Sequence, residues 1–161
     1  MSYLFVALSY LIGSINFAYL VAKYKKLDIS SSGSGNPGTS NVMRTIGKKY
    51  AAIVLIGDVF KGFIPIFLFD ENLLLCGFAA VIGHIYPIFY KFKGGKGVAT
   101  YIGVYIAFST LNPISYDLFE NSYFLFLNIP VLAIFYFVVF KISRISAIAS
   151  LLTVFISNLI L

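Results

Sequence analysis

Long apolar runs separated by short polar segments make up most of the chain. A bilayer core of about 30 Å requires about 20 apolar helical residues, within a range of roughly 17–25. Six runs reach or approach this length: Tyr3–Ala22, Tyr50–Phe69, Leu73–Tyr90, Val98–Leu111, Tyr123–Phe140 and Ile145–Leu161. Lipid offers no hydrogen-bond partner to an unpaired strand edge, so each span should be a helix. The pattern therefore predicts an all-α, polytopic membrane helix bundle with six spans.

Composition supports a membrane protein over a soluble one. The chain is 60% hydrophobic and 11% charged, whereas soluble domains average about 45–50% and about 25%. A soluble protein of 161 residues could not hide so much apolar surface in one core. We therefore expect a single membrane-embedded domain over residues 1–161, with much of its surface in contact with lipid.

The distribution of basic residues predicts the orientation of the spans. Apart from Lys61, the basic residues fall into three connections: residues 23–49, 91–96 and 141–144. The connections at residues 70–72 and 112–121 contain no Lys or Arg. Basic loops of membrane proteins lie in the cytoplasm. The alternation therefore predicts cytoplasmic basic loops and an outside N-terminus.

Two of the basic connections contain clustered glycines. We call residues 30–38 the Gly/Ser loop and residues 91–97, "KFKGGKG", the Lys/Gly loop. Glycine allows close backbone approach and positive φ, so successive N–H groups can point at one anion. Arg44 and Lys96 can add charge-assisted hydrogen bonds to phosphate oxygens. A flexible turn would explain either loop alone, but glycines beside a cation in both loops favour a phosphate site.

A short helix is expected after Gly38, the last residue of the Gly/Ser loop. Thr39, Ser40 or Asn41 can cap its start, which places Arg44 one turn into the helix. The free N–H groups of this start would add to the anion site.

One apolar run contains two opposite charges. Asp58 and Lys61 are three residues apart and therefore share a helix face. A single charge at mid-membrane costs about 2.5–3.5 kcal/mol, and pairing offsets part of that cost. Such a pair either stabilises helix packing or lines a functional pathway. These residues alone leave both interpretations open.

The loops and the charged run together resemble the bacterial membrane-bound glycerol-3-phosphate acyltransferases that use an acyl phosphate as donor. The resemblance covers almost the whole chain. It rests on "GSINFAYLVAK" (residues 13–23), "SGSGNPGTSNVMR" (32–44), "GDVFKG" (57–62), "GHIYPIFYKFKGGKGVAT" (83–100) and "SRISAIAS" (143–150). The family usually has a seventh span and a cytoplasmic tail. The resemblance therefore implies that this chain lacks the family's last span and tail.

The resemblance implies a reaction and a set of site residues. The reaction is acyl transfer from a fatty acyl phosphate to the 1-hydroxyl of glycerol 3-phosphate, giving 1-acylglycerol 3-phosphate at the cytoplasmic face of a bacterial inner membrane. Its expected partners are the two substrates and the bilayer, with no cofactor, metal or nucleic acid. The implied catalytic residues are Ser34, Arg44 and Lys96. The candidate phosphate-binding residues are Gly33, Gly35, Asn36, Gly38, Asn41, His84, Gly94, Gly95 and Gly97.

A transporter of a phosphorylated solute is the alternative function. The charges of Asp58 and Lys61 could line its pathway. Against this alternative, the spans show no evident inverted repeat, and the glycine loops lie at one face instead of mid-membrane.

Overall fold

The computed structural model describes residues 2–110 and, beyond them, only positions 130, 131, 134, 135, 137–139, 141, 152 and 153. Residues 2–110 form helices and loops, with no strand among them. The helices are α1 (Ser2–Ser14), α2 (Phe17–Tyr24), α3 (Thr39–Thr45), α4 (Lys48–Leu68), α5 (Leu73–Ile85) and α6 (Val98–Thr110), with a 3₁₀ turn at Ile88–Tyr90.

The chain divides into two compact units, residues 1–107 and residues 108–161. The first unit contains α1 to α5 and most of α6, together with both glycine loops. In the second unit, the structure describes the end of α6 and scattered helical positions. The single domain over residues 1–161 stays a prediction.

Three of the predicted spans correspond to helical segments that are long and apolar enough to cross a membrane. They are Tyr3–Tyr24, Lys48–Leu68 and Leu73–Tyr90. The fourth predicted span corresponds to α6, which has 13 residues. The predicted spans at residues 123–140 and 145–161 lie outside the described residues, apart from a few isolated positions. The all-helical membrane fold is confirmed, while the number of spans and their orientation remain predictions.

Large apolar side chains cover the outside of these helices. Phe60 is 56% exposed on α4, and Leu74 and Phe78 on α5 are 77% and 66% exposed. In water such a surface would be unfavourable. In a bilayer it faces lipid tails, which confirms the interpretation of the composition.

The first span is broken in the middle at Ile15 and Asn16, which the sequence pattern did not predict. Asn16 is fully buried and has extended backbone angles. Its Oδ1 accepts a hydrogen bond from the Tyr19 N–H at 3.2 Å and so caps α2. The helix therefore restarts at Phe17, and the Ile15 carbonyl is left without an α-helical partner.

Helices α1 and α5 cross closely because glycines lie at the contact. A Cβ on Gly13 would collide with the backbone of Ala80, and a Cβ on Gly83 would collide with the backbone of Tyr10 and Ser14. Small residues at a crossing allow backbones to approach in membranes, where van der Waals contact drives helix association. This crossing fixes α5 against the broken span.

A small apolar core lies between α2, α3 and α4. Its buried residues are Ala18, Val21, Ala22, Ile29, Val42, Ala51 and Val54. Ile29 comes from the connection between α2 and α3 and is fully buried. This side chain anchors the start of the Gly/Ser loop to the helices.

Candidate functional site

The Gly/Ser loop is folded around the side chain of Asn41. Asn41 is only 2% exposed. Its Oδ1 accepts a hydrogen bond from the Ser34 N–H at 2.9 Å. Its Nδ2 donates to the carbonyls of Ser32 at 2.9 Å and Ile29 at 3.3 Å. One amide therefore bonds to two points of the loop and to the residue before it, which fixes the loop's path.

Asn41 was predicted, along with Thr39 and Ser40, as a possible cap of α3, and this prediction was wrong. The N-cap residue is Gly38, with extended backbone and no side-chain hydrogen bond to the helix. The Asn41 side chain instead points back into the loop, because burial there requires partners for all its polar atoms. Asn41 thus organises the candidate site from inside.

Two glycines of the Gly/Ser loop have positive φ. Gly33 has a φ of +59° and Gly35 has a φ of +71°. A Cβ on Gly33 would collide with the Asn41 Oδ1, and one on Gly35 would lie 2.9 Å from the Ser30 carbonyl oxygen. Both positions favour glycine for conformation and for space. The prediction that their N–H groups bind phosphate stays a prediction.

The outer part of the Gly/Ser loop is tied to Asp28, which the sequence analysis missed. Asp28 Oδ1 accepts hydrogen bonds from the Ser30 N–H at 2.9 Å and the Ser30 hydroxyl at 2.6 Å. The Ser31 hydroxyl donates to Oδ2 at 2.9 Å. These hydrogen bonds keep the pKa of Asp28 below its usual range, and the bond from the Ser30 hydroxyl has the largest effect. A carboxylate two residues before a run of serines is the signal that could have revealed this turn.

The three predicted catalytic residues are all exposed: Ser34 on the Gly/Ser loop, Arg44 on α3 and Lys96 on the Lys/Gly loop. Within residues 2–110, the Arg44 guanidinium has neither a hydrogen bond nor an ion pair. An exposed guanidinium on a short helix beside the Gly/Ser loop suits the binding of a phosphate from solution. Its position agrees with the sequence analysis, and its role stays a prediction.

The Lys/Gly loop folds back over the end of α5. The Gly94 N–H donates to the Ile85 carbonyl at 3.1 Å, and the Gly95 N–H donates to the His84 carbonyl at 3.2 Å. A Cβ on Gly95 would collide with His84 Nε2. These N–H groups thus already have partners. Both positions require glycine because a Cβ would collide with neighbouring atoms. Phosphate binding by Gly94 and Gly95 remains a prediction.

The remaining candidates in the two loops have different surroundings. Gly97 has a φ of +78°, and a Cβ there would lie 3.1 Å from Val81. The Gly38 N–H donates to the Asn36 carbonyl at 3.0 Å. Asn36 itself is half-buried.

The two glycine loops meet at Pro37. Its carbonyl oxygen accepts a hydrogen bond from Asn16 Nδ2 at 3.3 Å. The same oxygen lies 3.1 Å from where a Cβ on Gly95 would be. In addition, Tyr19 on α2 stacks on Tyr90, the residue before the Lys/Gly loop, with ring centroids 4.4 Å apart. The structure therefore brings together the two loops that the sequence analysis singled out separately.

Asp58 and Lys61 form the predicted buried pair, and His84 joins them. The Lys61 Nζ lies 2.9 Å from Asp58 Oδ1, and His84 Nδ1 lies 3.6 Å from the same oxygen. The three residues are 1%, 3% and 3% exposed. The Lys61 Nζ also donates to the Ile15 carbonyl at 2.6 Å, at the break of the first span. We call Asp58, Lys61 and His84 the buried polar unit.

The described residues contain no cluster of three or more His, Cys, Asp or Glu side chains that could hold a metal ion. A hydroxyl and two cations are exposed on or beside the two loops, at Ser34, Arg44 and Lys96. Such groups suit the binding of anions such as phosphate.

These features define a class of protein: a helical membrane protein whose two glycine-rich loops are packed against each other, with the exposed cation Arg44 beside one loop and Lys96 in the other. The family model for glycerol-3-phosphate acyltransferase matches residues 3–161. The chain belongs to the glycerol-3-phosphate acyltransferase family.

Curated relatives agree with this assignment. The glycerol-3-phosphate acyltransferase of Aquifex aeolicus is 47% identical over 111 residues, covering 65% of this chain and 58% of the relative. That of Methylobacillus flagellatus is 50% identical over 115 residues, covering 66% of this chain and 58% of the relative. The matched region thus spans 58% of the length of both relatives.

Solved structures show the same fold. The crystal structure of PlsY, an integral membrane glycerol 3-phosphate acyltransferase, in its glycerol 3-phosphate form superposes with a TM-score of 0.77 at 34% identity. Its lysophosphatidic acid form gives a TM-score of 0.71 at 36% identity. Each match covers 98% of this chain and 74% of the solved chain.

Proposed function

We propose that this protein transfers a fatty acyl group from an acyl phosphate to the 1-hydroxyl of sn-glycerol 3-phosphate. The products are 1-acylglycerol 3-phosphate and inorganic phosphate, and the reaction takes place at the cytoplasmic face of a bacterial inner membrane. Membership of the family carries the acyltransferase assignment. The contact between the two glycine loops at Pro37 supports a single site built from both.

The donor chemistry suits the residues of this site. An acyl phosphate is a mixed anhydride with a good leaving group, so transfer to an alcohol needs no covalent enzyme intermediate. The enzyme has to hold the two phosphates close together and stabilise charge on the developing oxyanion and the departing phosphate. Cations and hydroxyls on the outside of the loops meet that need, while the fatty tail lies among the apolar helices.

Each proposed catalytic residue has a role that follows from its chemistry. Arg44 binds a phosphate through two parallel hydrogen bonds, because the guanidinium matches the geometry of phosphate oxygens. Lys96 acts as a mobile point charge that follows the negative charge as the anhydride bond breaks. Ser34 positions a phosphate or the attacking hydroxyl. Asn41 supports this role, since it fixes the Ser34 backbone through its Oδ1.

The test is an acyl-transfer assay with purified protein in liposomes. Palmitoyl phosphate and radiolabelled glycerol 3-phosphate should give labelled 1-acylglycerol 3-phosphate, with release of one phosphate per product. The assay should be run on the chain itself and on the chain joined to the C-terminal segment of the Aquifex aeolicus relative.

Variants connect the activity with the site. Arg44→Ala should reduce product formation, whereas Lys49→Ala should leave it unchanged, because Lys49 is also an exposed cation but lies on α4, away from the short helix that follows the Gly/Ser loop. Uptake of glycerol 3-phosphate without acylation would contradict the proposal and favour a transporter. Equal activity of the two variants would contradict the role of Arg44.

A further inference from the structure

The buried polar unit is connected to the Gly/Ser loop through the break in the first span. The Lys61 Nζ holds the Ile15 carbonyl at 2.6 Å. The next residue, Asn16, donates from Nδ2 to the Pro37 carbonyl in the loop. Asn16 is fully buried, so its amide has no water to bind instead. The position of Pro37 therefore depends on the hydrogen bond between Lys61 and the Ile15 carbonyl at the break of the first span.

The same unit is connected to the Lys/Gly loop through His84. One imidazole nitrogen, Nδ1, lies 3.6 Å from Asp58 Oδ1. The other, Nε2, faces Gly95 so closely that a Cβ there would collide with it. The His84 carbonyl also accepts the Gly95 N–H at 3.2 Å. The His84 side chain therefore lies between Asp58 and Gly95, and its packing limits where Gly95 can lie.

These contacts close into a circuit. On one side, Lys61 contacts the break of the first span, and Asn16 at that break contacts Pro37, which lies beside Gly95. On the other side, Gly95 packs on His84, which lies near Asp58, the partner of Lys61. Every side chain that provides a polar link is less than 4% exposed.

We infer that Asp58, Lys61 and His84 are positioning residues that fix the two glycine loops relative to each other. The inference rests on the proposed function for its link to catalysis. A reaction between two bound phosphates requires the groups of both loops to be held within a small distance of their productive arrangement. The buried polar unit would hold that arrangement from the protein interior, without contact to either substrate. For His84 this positioning role is proposed in place of the phosphate contact expected from the sequence.

The first experiment measures the arrangement of the loops directly. Nitroxide labels replace Ser40 on α3 and Lys93 in the Lys/Gly loop, both of which are exposed. Cys76, the one cysteine of the chain, is replaced by alanine in all samples. Electron paramagnetic resonance then gives the distribution of distances between the two labels.

The test variant is Asp58→Val/Lys61→Met, which removes both charges together and leaves no unpaired buried ion. We expect its distance distribution to become at least twice as wide as that of the unaltered unit. The matched control is Ser9→Ala, because Ser9 is also fully buried and, among the described residues, its hydroxyl bonds only to the Phe5 carbonyl of its own helix. The control should keep the narrow distribution.

A second variant breaks the circuit on the other side. His84→Phe keeps a ring of similar size but removes both nitrogens, and it should also widen the distribution. An unchanged distribution in whichever of the two variants folds would overturn the inference. Equal widening in Ser9→Ala would also overturn it, because the effect would then not be specific to the circuit.

The second measurement concerns the reaction. The double variant should lower kcat/KM at least tenfold, mainly through kcat, because misaligned loops still bind each phosphate but no longer bring the reacting groups together. A widened distribution with normal kcat would overturn the positioning role. If neither the variants nor the parent protein transferred acyl groups, the proposed function would fail, while the distance measurement would still decide whether the unit fixes the loops.

Discussion

Replacing Asn41 by alanine should loosen the Gly/Ser loop while the helices remain folded. Asn41 provides the three side-chain hydrogen bonds that hold the Ser34 N–H and the carbonyls of Ser32 and Ile29. Alanine cannot replace any of them. The helices do not depend on these bonds, because α3 has its own backbone ladder and its Val42 side chain lies in the apolar core.

The size of the effect follows from the three bonds. A hydrogen bond contributes about 0.5–1.5 kcal/mol net, and a buried group that loses its partner costs about 1–3 kcal/mol. The bond to Ile29 is buried, whereas those to Ser34 and Ser32 are partly accessible to water. Water can therefore compensate in part for two of the three. We expect the free energy of loop opening to fall by about 2–3 kcal/mol.

Hydrogen exchange measured by mass spectrometry checks this value. Because about 1.4 kcal/mol is a factor of ten in an equilibrium constant, protection of the Ser34 amide should fall about 30- to 150-fold. Peptides from α4 should keep their protection. Ser40→Ala is the control, since Ser40 is the exposed neighbour of Asn41 and should change nothing.

A further variant tests the direction of the hydrogen bonds. Asn41→Asp keeps an oxygen for the Ser34 N–H but turns a second oxygen towards the carbonyls of Ser32 and Ile29. It should loosen the loop at least as much as alanine, because acceptors would then face each other. Normal protection of the Ser34 amide in both variants would show that the loop is not organised by Asn41.

Three other predictions concern charge. Arg44→Lys should mainly raise KM for glycerol 3-phosphate. Lys96→Ala should lower kcat by a factor of about 10²–10³, the size of the effect when one oxyanion donor is removed. A change of KM alone in Lys96→Ala would contradict the role of Lys96. In an otherwise cysteine-free protein, cysteines at positions Ser32 and Asn72 should label from opposite membrane faces, and labelling of both from one face would refute the orientation. The pKa of Asp28 is lowered by neighbouring serines, so its contribution to loop stability is complete above the unfolded value near 4 and should be lost as pH falls through the lower folded pKa. Hydrogen exchange in Asp28→Asn should lack this pH dependence.

Features that depend on neighbours along the chain could be predicted from the amino-acid sequence. Apolar runs of about 20 residues fit a bilayer whatever their tertiary arrangement, so α4 was found almost to the residue. Asp58 and Lys61 were predicted to meet because residues three apart always share a helix face. Glycine beside cations marked both loops, since glycine in a loop shows where backbone conformation or space is restricted.

Contacts between residues that are far apart in the chain became visible only in the folded protein. His84 reaches Asp58 from another helix, and Lys61 reaches a carbonyl 46 positions earlier in the chain. Asn41 looked like a helix cap because its type favours caps, but burial turned its amide into the loop. The N–H groups of Gly94 and Gly95, predicted from the sequence only as possible phosphate ligands, bond to the end of α5. Local periodicity carries no information about such contacts, because they depend on how the helices pack and on which polar groups lose water when they do.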